Sequence, residues 1–166
     1  AIDVSFYHDA YDRAIRQCQE KYRRRITVLK GQELGLQEDM IHTMQQALSG
    51  RAYDFLIGSF HYAQKTELCS MDYLRGRSFS ESYRAFYTCC LETLRLYDNF
   101  DVLGHINIID RYTPEIPAYD TYADLIDAIL LLLIQNGKGI EFNTSCFRYD
   151  MFEQTTPSVQ ILERYK

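Results

Sequence analysis

Positive charge is scarce in this 166-residue sequence. Eighteen Lys and Arg stand against 23 Asp and Glu, a formal net charge of -5. That balance argues against nonspecific nucleic-acid binding, which needs a basic face. The only basic cluster, Arg23-Arg24-Arg25, lies between a helical pattern and an apolar run. It reads as a solvated helix C-terminus, where cations are favoured, rather than as a phosphate site. Long apolar runs are lacking too. The longest, from Ala128 to Ile134, falls far short of the roughly 20 residues a bilayer-spanning helix needs, and no signal peptide is visible. Cysteine is present but unorganised. Cys18, Cys69, Cys89, Cys90 and Cys146 form no C-x-x-C pair, and their odd count and scattered spacing do not suggest a disulfide framework. A reducing, cytoplasmic compartment is expected. The chain also has no Ser-His-Asp order, no phosphate-binding P-loop and no G-x-G-x-x-G. Serine-hydrolase, nucleoside-triphosphate and dinucleotide readings are therefore weak.

What the sequence does have is alternation. Tyr7, Tyr11, Ile15, Cys18 and Tyr22 recur at spacings of three and four and predict an amphipathic helix. Ile26 to Gly35 is β-branched at its start and glycine-bearing at its end, and predicts a strand carrying Glu33. Glu38 to Leu48 predicts a short helix with Met40, Met44 and Leu48 buried and His42 exposed, stopped by Gly50. Tyr53 to His61 predicts a second strand, followed by a less regular segment through Gly76. Ser80 to Tyr97 predicts a long helix capped by Ser78 or Ser80. Asp101 to Ile109 predicts a third strand, with His105 within it. Thr121 to Gln135 predicts a heavily buried helix capped by Thr121, with Asp124 three residues on. Gly139 to Ser145 predicts a fourth strand, and Cys146 to Tyr149 a loop. Thr156-Pro157 predicts the start of a last helix, running to Lys166. Strands alternating with helices imply an α/β domain with a parallel sheet and helices outside it. Functional groups in such folds collect where strands end. Glu33, His61, His105 and Asn143 all fall at or near those ends.

Two imidazoles and a carboxylate suit Zn, Mn or Fe. They converge only if their strands are parallel neighbours. The alternative is that all three are satisfied by hydrogen bonds among strand-end loops. A metal there could lower the pKa of water and polarise a phosphoryl oxygen. Arg111 and Arg148 each follow a strand with a polar end group. Either grips a phosphate bidentately or forms a surface ion pair.

Four segments carry a resemblance. Gly31-Gln-Glu33-Leu-Gly35, Ile57-Gly-Ser-Phe-His61, Asp101-Val-Leu-Gly-His105-Ile and Glu141-Phe-Asn-Thr-Ser145 resemble, in order, the central motifs of the PHP metal-dependent phosphoesterases, and in particular their histidinol-phosphatase branch. The resemblance implies a distorted (β/α)7 barrel with a trinuclear metal site, in which Glu33 bridges two metals and His61 and His105 complete one of them. It implies that Arg111 and Arg148 hold the substrate phosphate. The implied reaction is hydrolysis of L-histidinol phosphate to L-histidinol and phosphate, in histidine biosynthesis. Another small phosphomonoester or a nucleotide is the alternative substrate.

The departures shape the remaining expectations. The His-x-His strand that opens family members and the Asp-x-His strand that closes them have no match here. The 166 residues are therefore expected to form one PHP-type domain comprising the middle of the barrel, about four parallel strands with flanking helices. Such a chain could be incomplete or inactive alone, or a non-catalytic remnant that binds a partner. Its open sheet edges would favour association, a homo-oligomer among the outcomes. Asn107 stands where the family usually has Asp, which puts an outer carboxylate in doubt. Cys146 stands where Gly is usual, a soft group near the implied site.

Overall fold

The computed structural model describes residues 8–148 and 156–166, the side chains of Cys146 and Phe147 excepted. Helix α1 (His8–Tyr22) precedes strand β1 (Gly31–Gly35), and α2 (Ile41–Leu48) leads to β2 (Phe55–Ser59). A small hairpin follows, β3 (Tyr62–Ala63) against β4 (Thr66–Glu67). Then come α3 (Phe79–Leu96), β5 (Val102–Leu103), α4 (Ala123–Gln135), β6 (Gly139–Ile140) and α5 (Val159–Tyr165). β1, β2, β5 and β6 form one sheet in that order, every pair parallel. The chain is therefore α/β with four parallel strands and flanking helices, as the alternation implies.

Several boundaries differ from the sequence pattern, each for a physical reason. The first strand starts at Gly31 rather than Ile26, and Ile26 and Leu29 are exposed. The third strand ends at Leu103. The apolar residues Ile106, Ile108 and Ile109 are deeply buried, but in a tight turn whose 3-10 part spans Ile108–Arg111. Their hydrophobicity reports burial, not extension. The fourth strand likewise ends at Ile140, and a 3-10 turn occupies Thr144–Arg148. Met40 is exposed in a 3-10 turn before α2, while Met44 and Leu48 pack against the core. Cys18 on α1 is exposed.

Capping divides the same way. Ser78 caps α3 in a reciprocal box: its hydroxyl accepts from the Glu81 N–H (3.3 Å), and its own N–H donates to Glu81 Oε2 (2.8 Å). Thr121 does not cap α4. Its hydroxyl donates to the Ala118 carbonyl (2.7 Å), and Asp124 is taken by Arg84 (2.7 and 3.0 Å). Ser158, not Thr156, caps α5, while the Thr156 carbonyl accepts from the Asn143 N–H (2.7 Å).

One contiguous core joins the sheet to α3 and α4. Leu34 and Leu103 come from the strands, Phe86, Tyr87 and Leu94 from α3, and Ile126, Ile129 and Leu133 from α4. Tyr87 stacks on Tyr122 with ring centres 5.2 Å apart. Burying α4 on this side leaves Leu131 and Ile134 exposed on the other, so that helix is less enclosed than its composition suggests. Among the described residues, no helix is long and apolar enough to cross a membrane.

Candidate metal centre

Side chains alternate across a strand, and residues in parallel register share a face. Leu34 is buried toward the helices, so Glu33 points to the opposite face. Glu33 pairs with Ile57, Ile57 with Val102, and Val102 with Gly139. Two residues further along, the same face carries Ser59, Gly104 and Glu141. The ladder continues there, because the Gly104 N–H donates to the Gly58 carbonyl and the Glu141 N–H to the Leu103 carbonyl, both at 2.8 Å. At the strand ends that face is therefore polar and partly glycine. Gly104 is required by close approach. A Cβ there would lie 2.4 Å from Ser59 Oγ and 2.8 Å from Ile57 Cγ2.

His61 and His105 each follow the end of a strand by two residues, β2 and β5 respectively. Both rings turn back over Glu33. His105 Nε2 lies 3.2 Å and His61 Nε2 3.3 Å from the same oxygen, Glu33 Oε1. The two rings are 5.0 Å apart at their centres. One ligand atom from each of the three residues lies within 4.8 Å of the others. His105 is almost wholly buried, whereas His61 and Glu33 remain about half exposed, so the cluster opens to solvent on one side. The two imidazoles, His105 foremost, hold the Glu33 carboxyl well below the usual carboxylate range against the opposing cost of burial. Glu33 is thus an anion facing two imidazole nitrogens. Two nitrogen donors and one carboxylate oxygen at this separation fit a borderline divalent cation such as Zn, Mn or Fe.

Of the two arginines, Arg111 ends the turn that follows His105. Its Nη2 donates to Ser145 Oγ (2.7 Å), tying it to the strand-end segment after β6. Arg148 is exposed at the end of the Thr144–Arg148 turn, next to residues outside the described part. Asn143 joins the same segment: its Nδ2 donates to Glu141 Oε2 (3.2 Å), and its Oδ1 accepts from the Ser145 N–H (2.8 Å). Asn107 is buried and donates to Asp110 Oδ2 (2.7 Å). The Cys146 side chain lies outside the described residues.

No role for Ser59, Gly104 or Glu141 follows from the sequence alone. All three stand in the sequence only as parts of motifs, because what matters in them is a contact across the sheet.

Residues 4–145 match the PHP domain. The histidinol-phosphatase of Lactococcus lactis is 24% identical over 162 residues, an alignment covering 92% of this chain and 58% of that protein. A probable histidinol-phosphatase of Clostridium acetobutylicum is 28% identical over 146 residues, covering 86% of this chain and 54% of that one. Among solved structures, the Lactococcus lactis histidinol phosphate phosphatase, complexed with Zn, L-histidinol and phosphate, superposes with a TM-score of 0.83 at 22% identity, over 95% of this chain and 61% of that chain. The chain spans between about half and two thirds of the length of these relatives.

Proposed function

Because the chain belongs to the PHP domain family, we propose that it carries the central part of a metal-dependent phosphoesterase that hydrolyses L-histidinol phosphate to L-histidinol and phosphate in histidine biosynthesis. The observation that carries this reading is Glu33 Oε1 shared between His105 Nε2 and His61 Nε2. Such a constellation would hold a divalent ion. The relatives support the substrate, since two are named histidinol-phosphatases and one is solved with Zn, L-histidinol and phosphate. We read residues 1–166 as a single PHP-type domain. Among the described side chains the thiols of Cys18, Cys69, Cys89 and Cys90 are free, which suits a cytoplasmic enzyme.

Glu33, His61 and His105 would hold a divalent ion, which would supply a lowered pKa for water and polarisation of a phosphoryl oxygen. The chain's own residues do the rest. Glu33 supplies the negative charge that attracts the cation. His105, enclosed by the core, fixes one direction of approach, and His61 on the exposed side leaves room for substrate. Arg111 offers a guanidinium to the phosphate, whose planar fork matches two oxygens at once. Arg148 would add a second positive charge on the same side.

Calorimetric titration of Mn tests the ion site. Binding by the wild-type chain should be lost, or weakened at least tenfold, in H105A. Equal binding by both proteins would sink the assignment. Phosphate release from L-histidinol phosphate, set beside p-nitrophenyl phosphate with Mn present, tests the substrate. Turnover of the second alone would move the function to another small phosphomonoester. Inactivity of both with Mn bound would leave a binding module.

A further inference from the structure

His105 has an unusual support. Metal-ligating histidines are ordinarily oriented by a hydrogen bond from the second ring nitrogen. Here Nδ1 of His105 is buried and has no hydrogen-bond partner among the described residues. The backbone is unusual as well. His105 has a φ of +26°, a region that side-chain-bearing residues sparsely occupy. Something must hold that conformation, and it does not act through Nδ1.

The group in position to do so is Glu141. Its Oε2 accepts the His105 backbone N–H at 2.9 Å and the Asn143 side-chain amide at 3.2 Å. The same oxygen would lie 3.5 Å from a Cβ on Gly104, an ordinary contact distance, so the carboxylate sits directly against the backbone before the histidine. Glu141 is not among the residues whose ligand atoms cluster with Glu33. Resting on the metal reading above, we propose that Glu141 is a positioning residue. Its carboxylate pins the His105 backbone so that Nε2 faces Glu33. Through Asn143 and Ser145 the same hydrogen-bonded chain reaches Arg111. One acidic side chain thus sets the ion site and the phosphate-binding arginine in a common frame. A charged acceptor suits this task because its hydrogen bond to an N–H is stronger than a neutral one.

The test uses the 166-residue chain with Mn as the probe, and a second readout in the metal-free protein. E141A should weaken Mn binding about tenfold to a hundredfold, and E141Q, which keeps an acceptor oxygen, should recover most of the loss. In the metal-free chain the His105 amide proton resonance should move upfield in E141A and by a smaller amount in E141Q. Wild-type affinity in a folded E141A overturns the proposal, and so does an unmoved His105 amide. If E141A does not fold, E141Q decides by the amide shift alone, and an unchanged resonance counts against the pin. A wild-type chain that takes up no Mn overturns the metal reading instead, and the amide shift distinguishes that failure from failure of the positioning.

Discussion

Asp110 is the most enclosed acidic group described, and it lies five residues past His105, next to Arg111. Its two oxygens accept from the Tyr83 hydroxyl (2.8 Å) and from Asn107 Nδ2 (2.7 Å). Burial among aromatic rings outweighs both hydrogen bonds and raises its pKa from the ordinary 3.8 to about 6. A raised carboxyl pKa means that the folded chain holds the proton more tightly than the unfolded one. The stability this contributes is fully present below about pH 4 and is lost as pH rises through 6. The difference is at most about 3 kcal/mol. Wild type should therefore lose stability relative to D110N between pH 4 and pH 7.5, as urea midpoints at the two pH values would show. A constant gap would mean that folding leaves the Asp110 pKa unshifted. Asn107 belongs to this network. Where a carboxylate was expected near the metal site, the chain has an amide that serves a buried acid.

The elements differ in how plainly the sequence announces them. Helix α3 is the clearest, because its cap and its apolar face are both local. Ser78→Ala removes the hydroxyl half of the box and should cost about 1 kcal/mol, read as a lower midpoint in chemical denaturation. Rescue by Ser78→Asp would confirm capping as the cause. The β3–β4 hairpin was not legible. Its turn places Gln64 and Lys65 at φ of +50° and +64°, where a sequence reader looks for Gly or Asn. Strand ends are hard to read for a different reason. Val102–Leu103 and Gly139–Ile140 are only two residues long, and the apolar residues beyond β5 serve the core from a turn. Glu33, His61 and His105 still come together, since the order of the apolar runs, and not their exact boundaries, brings these three side chains to one place. Glu141 opens the fourth motif, but its contact is not legible there, because it accepts an N–H from a residue 36 positions away.

At the scale of the molecule, β1 and β6 are the edges of the four-stranded sheet among the described residues. Helix α1 shields part of the β1 edge. Tyr11 donates to the Gly31 carbonyl (2.5 Å) and Asp12 pairs with Lys30 (2.8 Å). Those contacts are polar, and α1 buries no residue fully. Exposed apolar side chains remain on α4 at Leu131 and Ile134, one helical turn apart. Sedimentation over a concentration series should show self-association that weakens in L131E/I134K. A monomer at every concentration would show that these surfaces are tolerated in water.

The parallel arrangement has a consequence for how the site comes into being. Glu33 and His105 are separated by 72 residues and meet only because β2 lies between their strands. No early, local event in folding can bring them together, and contacts so distant in sequence form late. A cation bound at this cluster would therefore add stability by mass action and lengthen the life of a structure that the apolar core builds.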